Sequence, residues 1–419
     1  MLISTIAVCL VFLASLVYQR QCRRRSSQDR VRKWLQQERA VVDFTFAGDT
    51  VLKDKLQLRG RANQRLVSAF GILNSLTTSS VKLHNEFRRT ASRALGNNNA
   101  RWQRLYSVAE KLLRHEIHDA TQCEGGSLAL ANCTRYLCLT VILVDVFGAD
   151  PASLPREPVV SIGEEINNQW LQSKYDPKVP RSERLNSALR GLGLTRTSAD
   201  WAGAVNVTTE EALGLIIPQY ETLWRVVLLT FVTAYYRQPR SEVSKRVEEV
   251  PSCLGDSGRE KEALKLAKAS LAVSFGFLWS LLSNSDYQEG LRLYPSNKRI
   301  YRVASKEDSE KELVSTDVEA CHRNRDIWGP DVLQFRPERF DNLTGLEREA
   351  YFPYSLGTHR CPAFAGFGDR MVTMLVVSLG RMLSSDVGLI RYNDRVLDKD
   401  PGEPLPTWRD DMKDWAFVI

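Results

Sequence analysis

Apolar and polar positions recur along this chain mainly with a helical period, and the predicted elements follow from it. Residues 100–118 put Trp102, Leu105, Val108, Leu112 and Leu113 on one stripe, which predicts an amphipathic helix. Residues 128–147 are apolar on every side and stop at Gly148 and Pro151, which predicts a buried helix. The helical period resumes over 162–174, whereas 177–200 is polar and reads as a surface connection between helices. Thr208 stands three residues before Glu211, the spacing of a capping box, ahead of Leu213, Ile216, Ile217, Leu223, Val226, Val227 and Leu229. That pattern predicts a helix crossing the whole domain, kinked where Pro218 removes a ladder hydrogen bond. Residues 260–283 predict a further helix, and 371–379 the body of a helix opened by Pro362. Strand signals are short. Alternation over 41–46 with a turn at Gly48 and Asp49 predicts one strand, and residues 386–419 predict a small C-terminal sheet.

The first residues break this pattern. Leu2 to Tyr18 is apolar except for Ser4, Thr5 and Ser15, and Arg20, Arg23, Arg24 and Arg25 follow it. A secretory signal carries its charge before the apolar core, the reverse of this order. The positive-inside rule then keeps the basic flank in the cytosol. The expectation is a single-pass signal-anchor helix at 1–20 in the endoplasmic reticulum membrane, a basic linker at 21–29, and one cytosol-facing domain over 30–419. In that compartment the sequons at Asn132, Asn206 and Asn342 go unused.

Composition adds little to this picture and excludes much. A chain that is 43% hydrophobic and 26% charged, with net charge +7, is a moderately basic folded protein. Its eight cysteines show no paired spacing, which argues against a disulfide framework or a zinc site. His115 and His118 lie three apart without a third ligand and read as solvated helix residues. Phosphate loops, hydrolase elbows, nucleic-acid motifs and internal repeats are missing, as are flavin and nicotinamide motifs.

Chemistry concentrates at Cys361. Tyr354-Ser-Leu-Gly357-Thr-His359-Arg360-Cys361-Pro362-Ala363 sets a cysteine after a glycine turn and before a proline that suits the first turn of a helix. A helix start favours an anionic thiolate, Gly357 keeps bulk out of the turn, and His359 and Arg360 offer charge to an anionic ligand. Alone, such a cysteine is more often a buried structural residue. Two further motifs change the balance. Glu289 and Arg292 share a helix face ahead of Leu293-Tyr294-Pro295, and Arg339 stands in Pro337-Glu338-Arg339-Phe340 after a turn at Asp326 to Asp331.

These three motifs, in this order, resemble those of the cytochrome P450 enzymes. Tyr354 takes the place of the usual phenylalanine, and Ala363 that of a glycine. The resemblance implies a mainly α fold with minor β, built on a long central kinked helix, and haem b held by Cys361 as axial iron ligand. It also implies that Glu289, Arg292 and Arg339 form a buried network behind the cysteine loop. Arg299 and, if protonated, His359 match positions where relatives bind a haem propionate; Arg302 reads as a surface residue. A Trp followed four residues later by Arg often serves the same end, but Trp102 is followed by Tyr106, so no propionate ligand is assigned there. Glu221 and Thr222 match the acid-alcohol pair of the oxygen-activation motif, with Pro218 and Gln219 replacing its small residues. Reductive splitting of dioxygen consumes two protons, which a hydroxyl backed by a carboxylate can relay.

The segment 65–78 resembles a block of fungal members. The expected function is therefore monooxygenation (hydroxylation, epoxidation or desaturation) of an apolar small molecule, such as a terpenoid of fungal secondary metabolism. Electrons would come from an NADPH-dependent P450 reductase, which could dock near Arg360 and Arg370. A haem-thiolate isomerase or dehydratase working without dioxygen, and a non-catalytic haem protein, remain open as alternatives.

Overall fold

The computed structural model describes residue 18 and residues 26–48, 50–94, 99–122, 125–197, 204–237, 284–304, 313–385, 387–392, 395–397, 404–405 and 412–419. The anchor expected at 1–20 and the helix expected at 260–283 lie outside the described residues, apart from Tyr18.

Helix α1 (26–43) opens the described domain, starting inside the stretch read as a linker. It absorbs the first half of the strand expected at 41–46, and Thr45 and Phe46 fall in a 3₁₀ turn. Leu35 and Val42, seven apart, are buried and packed with Val31 and Trp34, so the helical period overrides the local alternation. Phe44 leaves the helix end with φ of 70°. Then come α2 (Leu52–Ala62), α3 (Gln64–Phe70), α4 (Val81–Ala94) and α5 (Asn99–Gln122). A three-residue strand β1 (Ser127–Ala129) leads into α6 (Leu130–Phe147), of which 15 residues are buried, as its all-round apolar sequence demands. Helix α7 (Arg156–Tyr175) follows.

The polar stretch 177–200 is not simply a connection. It contains α8 (Glu183–Gly191), capped by Ser182 on the Leu185 amide at 3.2 Å and anchored by buried Leu185 and Leu189. Strand β2 (Thr195–Thr197) then pairs antiparallel with β3 (Ala204–Asn206).

Helix α9 (Thr209–Phe231) begins with both halves of its capping box formed between Thr208 and Glu211 and runs unbroken past Pro218 into a π-turn at Val232–Tyr236. By length and composition α6 and α9 could each cross a membrane, yet 83% and 67% of their most apolar windows are buried inside the protein. They pack on one another and, with α5 and the later helix α14, form the main core.

After the undescribed interval come α10 (Asn284–Leu293) and a hairpin of β4 (Arg299–Val303) with β5 (Leu313–Asp317), which pairs Arg299 with Asp317 and Val303 with Leu313. Short helices α11 (Val318–His322), α12 (Arg325–Trp328) and α13 (Gly345–Ala350) precede the cysteine loop. Pro362 opens only a four-residue 3₁₀ turn. The long helix α14 (Phe367–Met382) starts five residues later, after Gly366 turns the chain with φ of 98°. The tail supplies β6 (Leu389–Tyr392), β7 (Arg395–Val396) and β8 (Ala416–Val418). With β1 these form one four-stranded sheet in the order β1-β8-β6-β7, so the C-terminal sheet recruits a strand from residues 127–129.

Candidate functional site

Cys361 lies at the end of a loop that the rest of the domain holds from behind. Its amide donates to the Tyr354 carbonyl at 2.8 Å, and the Tyr354 hydroxyl donates to Asp369 on α14 at 2.9 Å. Gly357 adopts φ of +59°, a left-handed conformation that suits glycine; a side chain there would only touch Asp43 at an ordinary 3.5 Å. Its role is therefore conformational rather than a matter of leaving room.

Behind the loop, Glu289 and Arg292 are both fully buried and form a bidentate pair at 2.6 and 2.7 Å. Arg339 Nε approaches the same carboxylate at 3.5 Å, and the Arg336 amide donates to it at 2.9 Å. Arg339 also donates to the carbonyls of Trp328 and Asp331 at 2.9 and 2.6 Å, while Arg292 donates to the His322 carbonyl at 2.8 Å and stacks over Trp328. The structure thus brings all three residues together. Next to them the imidazole of His322 accepts the Phe352 amide at 3.2 Å, and the Tyr351 hydroxyl donates to the Gln288 carbonyl, which carries the network into the cysteine loop. Gly290 is required here, because a side chain would come within 2.5 Å of Thr230 where α10 crosses α9.

On the other side of Cys361 cations gather. Arg59 on α2 reaches His359 Nδ1 at 3.1 Å, and Arg88 on α4 donates to the carbonyls of Thr358 and Arg360. Arg302 on β4 is buried over the Phe44 ring, itself 4.8 Å from the His359 ring, and His84 packs edge-on to His359 at 5.6 Å. Among the described residues the hydrogen-bond partners of these guanidiniums are carbonyls and an imidazole. Arg302 Nε and His359 Nε2 are buried with no partner. Burial lowers Arg59 to about 10, and burial with repulsion from Arg59 lowers Arg302 to about 9.

Three expectations from the sequence need correction. Arg299 is exposed and ion-pairs with Asp317 across the hairpin at 3.1 Å, while Arg302, read as a surface residue, is the one that turns inward. Strand alternation puts the two on opposite faces. Burial, then Arg59 and Arg302, push His359 down to about 2, which favours the neutral ring over the protonated one expected. And the position of Cys361 does not by itself favour a thiolate. Burial pushes its pKa up more than the Ala363 amide, Arg59 and Arg88 pull it down, and the turn after it is too short to supply a strong dipole.

Arg59, His84 and Arg88 were missed. A signal existed for two of them: the spacing of an aromatic ring four residues before an arginine, absent at Trp102, occurs at His84 and Arg88. Trp102 and Tyr106 lie elsewhere, with the Tyr106 hydroxyl held between Glu110 and Arg381. On α9, Glu221 is buried 3.9 Å from Arg225 one turn on, Thr222 is half-buried, and Gln219 folds back to donate to the Leu215 carbonyl at 3.0 Å. Arg360 is exposed and stacks over Phe364.

Comparison with known proteins gives the same direction. Residues 287–374 match the family model for cytochrome P450. The chain is 28% identical over 144 residues to bifunctional cytochrome P450/NADPH–P450 reductase 1 of Bacillus subtilis, covering 32% of this chain and 12% of that protein. It is 25% identical over 222 residues to the cytochrome P450 monooxygenase iccC of Talaromyces variabilis, covering 47% and 40%. Against cytochrome P450 714A2 of Arabidopsis thaliana it is 37% identical over 101 residues, covering 21% and 19%. The chain thus spans from about an eighth to two fifths of the length of these relatives.

Proposed function

We propose that this chain, a relative of the cytochrome P450s through residues 287–374, is a haem-thiolate monooxygenase acting on an apolar small molecule. Haem b is the cofactor of that family, and bound through a thiolate it supplies activation of dioxygen for insertion of one oxygen atom into substrate. The residues present fit it. A half-buried cysteine has Arg59 and Arg88 nearby, whose partners among the described residues are carbonyls and an imidazole. Beside His359, the Nε of buried Arg302 and the Nε2 of His359 have unused capacity among the described residues. That donor set suits a planar dianion with a metal at its centre. This gathering of arginines around Cys361 and His359, without carboxylate partners among the described residues, is the observation that carries the reading.

The chain's own residues then have distinct tasks. Cys361 would hold the iron, and coordination to a metal cation would favour its thiolate over the thiol that burial favours. Arg59, Arg88 and Arg302 hold the propionates, and neutral His359 contributes a hydrogen bond rather than charge. Glu289, Arg292 and Arg339 hold the loop at a fixed distance from the ring through His322, Phe352 and Tyr351. Glu221 and Thr222 pass protons along α9, with Arg225 3.9 Å from the Glu221 carboxylate.

Electrons come from an NADPH-dependent reductase, either separate or joined as in the Bacillus subtilis relative, docking on the exposed Arg360 face. The fungal relative supports secondary metabolism, with a terpenoid as the substrate class. Residues 1–20 anchor the 30–419 domain to the endoplasmic reticulum membrane through a linker at 21–29.

The test is a reduced, carbon monoxide-bound spectrum of the purified full chain. A long-wavelength Soret band that vanishes in Cys361→Ala is expected; an unchanged spectrum in that variant overturns the reading. In turnover, Thr222→Ala should keep the band yet divert reducing equivalents to peroxide. Full coupling there would remove the proton-relay assignment.

A further inference from the structure

The loop joining α3 to α4, residues 71–80, carries a hydrogen-bond pattern that the reading above does not use. Pro218 has no amide hydrogen, so the Gly214 carbonyl one turn earlier on α9 loses its ladder donor. Gly214 is buried, where an unpaired carbonyl destabilises the fold. Asn74, itself only 5% exposed, donates from Nδ2 to that carbonyl at 2.9 Å. Its Oδ1 accepts the Leu76 amide at 2.9 Å, which fixes the orientation of the side-chain amide. The Asn74 carbonyl in turn accepts the amides of Thr77 and Thr78, and the Thr77 hydroxyl donates to the Ile72 carbonyl at 2.7 Å. The next residue faces the other way. The Ser75 carbonyl accepts Arg59 Nη1 at 3.2 Å, and Ser75 Oγ lies 2.8 Å from His84 Nδ1. Two consecutive residues therefore join the proline turn of α9 to the cationic cluster beside Cys361.

We propose that Asn74 is a positioning residue: it supplies the hydrogen bond that Pro218 withholds and thereby sets loop 71–80, with Arg59 and His84, against α9. The inference goes beyond the haem reading and does not depend on it, since the test reads a hydrogen bond between α9 and the loop and no property of haem.

The test pairs Asn74→Ala with Pro218→Ala in the full-length protein. Alanine at 218 restores the amide that the Gly214 carbonyl lacks, so it removes the need for Asn74. In chemical denaturation, Asn74→Ala should lower the folded-to-unfolded ratio about tenfold to a hundredfold when Pro218 is present. In the Pro218→Ala background the same change should cost at least about fivefold less. A second readout separates positioning from general weakening. The chain has only five histidines, so their ring signals can be followed by NMR with histidine-selective labelling. Asn74→Ala should move the His84 ring signal in both backgrounds while His115 and His118 stay in place, because alanine at 218 satisfies the Gly214 carbonyl without tying the loop to α9. Equal losses in both backgrounds, or a His84 signal that does not move, overturn the proposal. If Asn74→Ala fails to fold alone, recovery of a folded double variant supports the proposal, and failure of both refutes it.

Discussion

His322 has no accessible surface, accepts the Phe352 amide through Nε2, and leaves Nδ1 without a partner. A second proton would put a charge beside Arg292, so burial first and that guanidinium next lower the ring to about 3 from an ordinary 6.5. The unfolded chain therefore binds a proton that the folded chain refuses throughout this interval. Stability is complete above about pH 6.5 and falls as the pH drops towards 3, by up to about 1.4 kcal/mol per unit from this group. Urea unfolding between pH 5 and 6.5 should show that slope together with a similar one from His359, and His322→Gln should remove about half of the sum. An identical slope in the variant would place the acid sensitivity elsewhere. At this scale the sequence revealed residue types and motif order, but not protonation: His359 and Cys361 stand among basic neighbours in the chain, and burial decides the state of both.

An element's face matters more than its composition. Strand β4 carries Arg299 and Arg302 three apart, so alternation sends them to opposite sides. Which side faces inward was undecidable from the strand alone. Pairing with Asp317 draws Arg299 to the surface, and Phe44 at the end of α1 covers Arg302. Haem titration followed at the Soret band should accordingly find Arg302→Ala weakened at least about tenfold and Arg299→Ala unchanged; the opposite order would reassign the inward residue. Helix α9 shows the contrary case. Its capping box and apolar run were legible because every determinant lies within a few residues. Alternation at 41–46 misled for the same reason. A six-residue window fits period 2, while the contacts of Val31, Trp34, Leu35 and Val42 obey period 3.6.

Across the whole molecule, the sheet at the end of the chain closes the fold over the core helices. Strand β8 lies between β1 and β6 and places Phe417 in the interior, two residues after the buried ring of Trp415. Removing residues 415–419 should therefore lower stability by at least about 5 kcal/mol, given that losing one buried aromatic side chain costs roughly 3–5 kcal/mol. Loss of cooperative thermal unfolding, measured by circular dichroism, is the expected outcome. A truncated chain melting at the same temperature would mean the sheet is an appendage.

What the amino-acid order determined by itself is everything specified locally. The capped long helix, the all-apolar α6, the succession of Glu289, Arg292, Arg339 and Cys361, and a small sheet near the C-terminus all rest on neighbours close in the chain. Tertiary structure decided whatever depends on residues brought together from afar. It chose Arg302 over Arg299, added Arg59, His84 and Arg88 to the site, left His359 neutral, and gave Asn74 the carbonyl that Pro218 abandons. The division has one physical cause: hydrogen-bond periodicity acts over a few residues, whereas burial and electrostatic environment are properties of a packed neighbourhood.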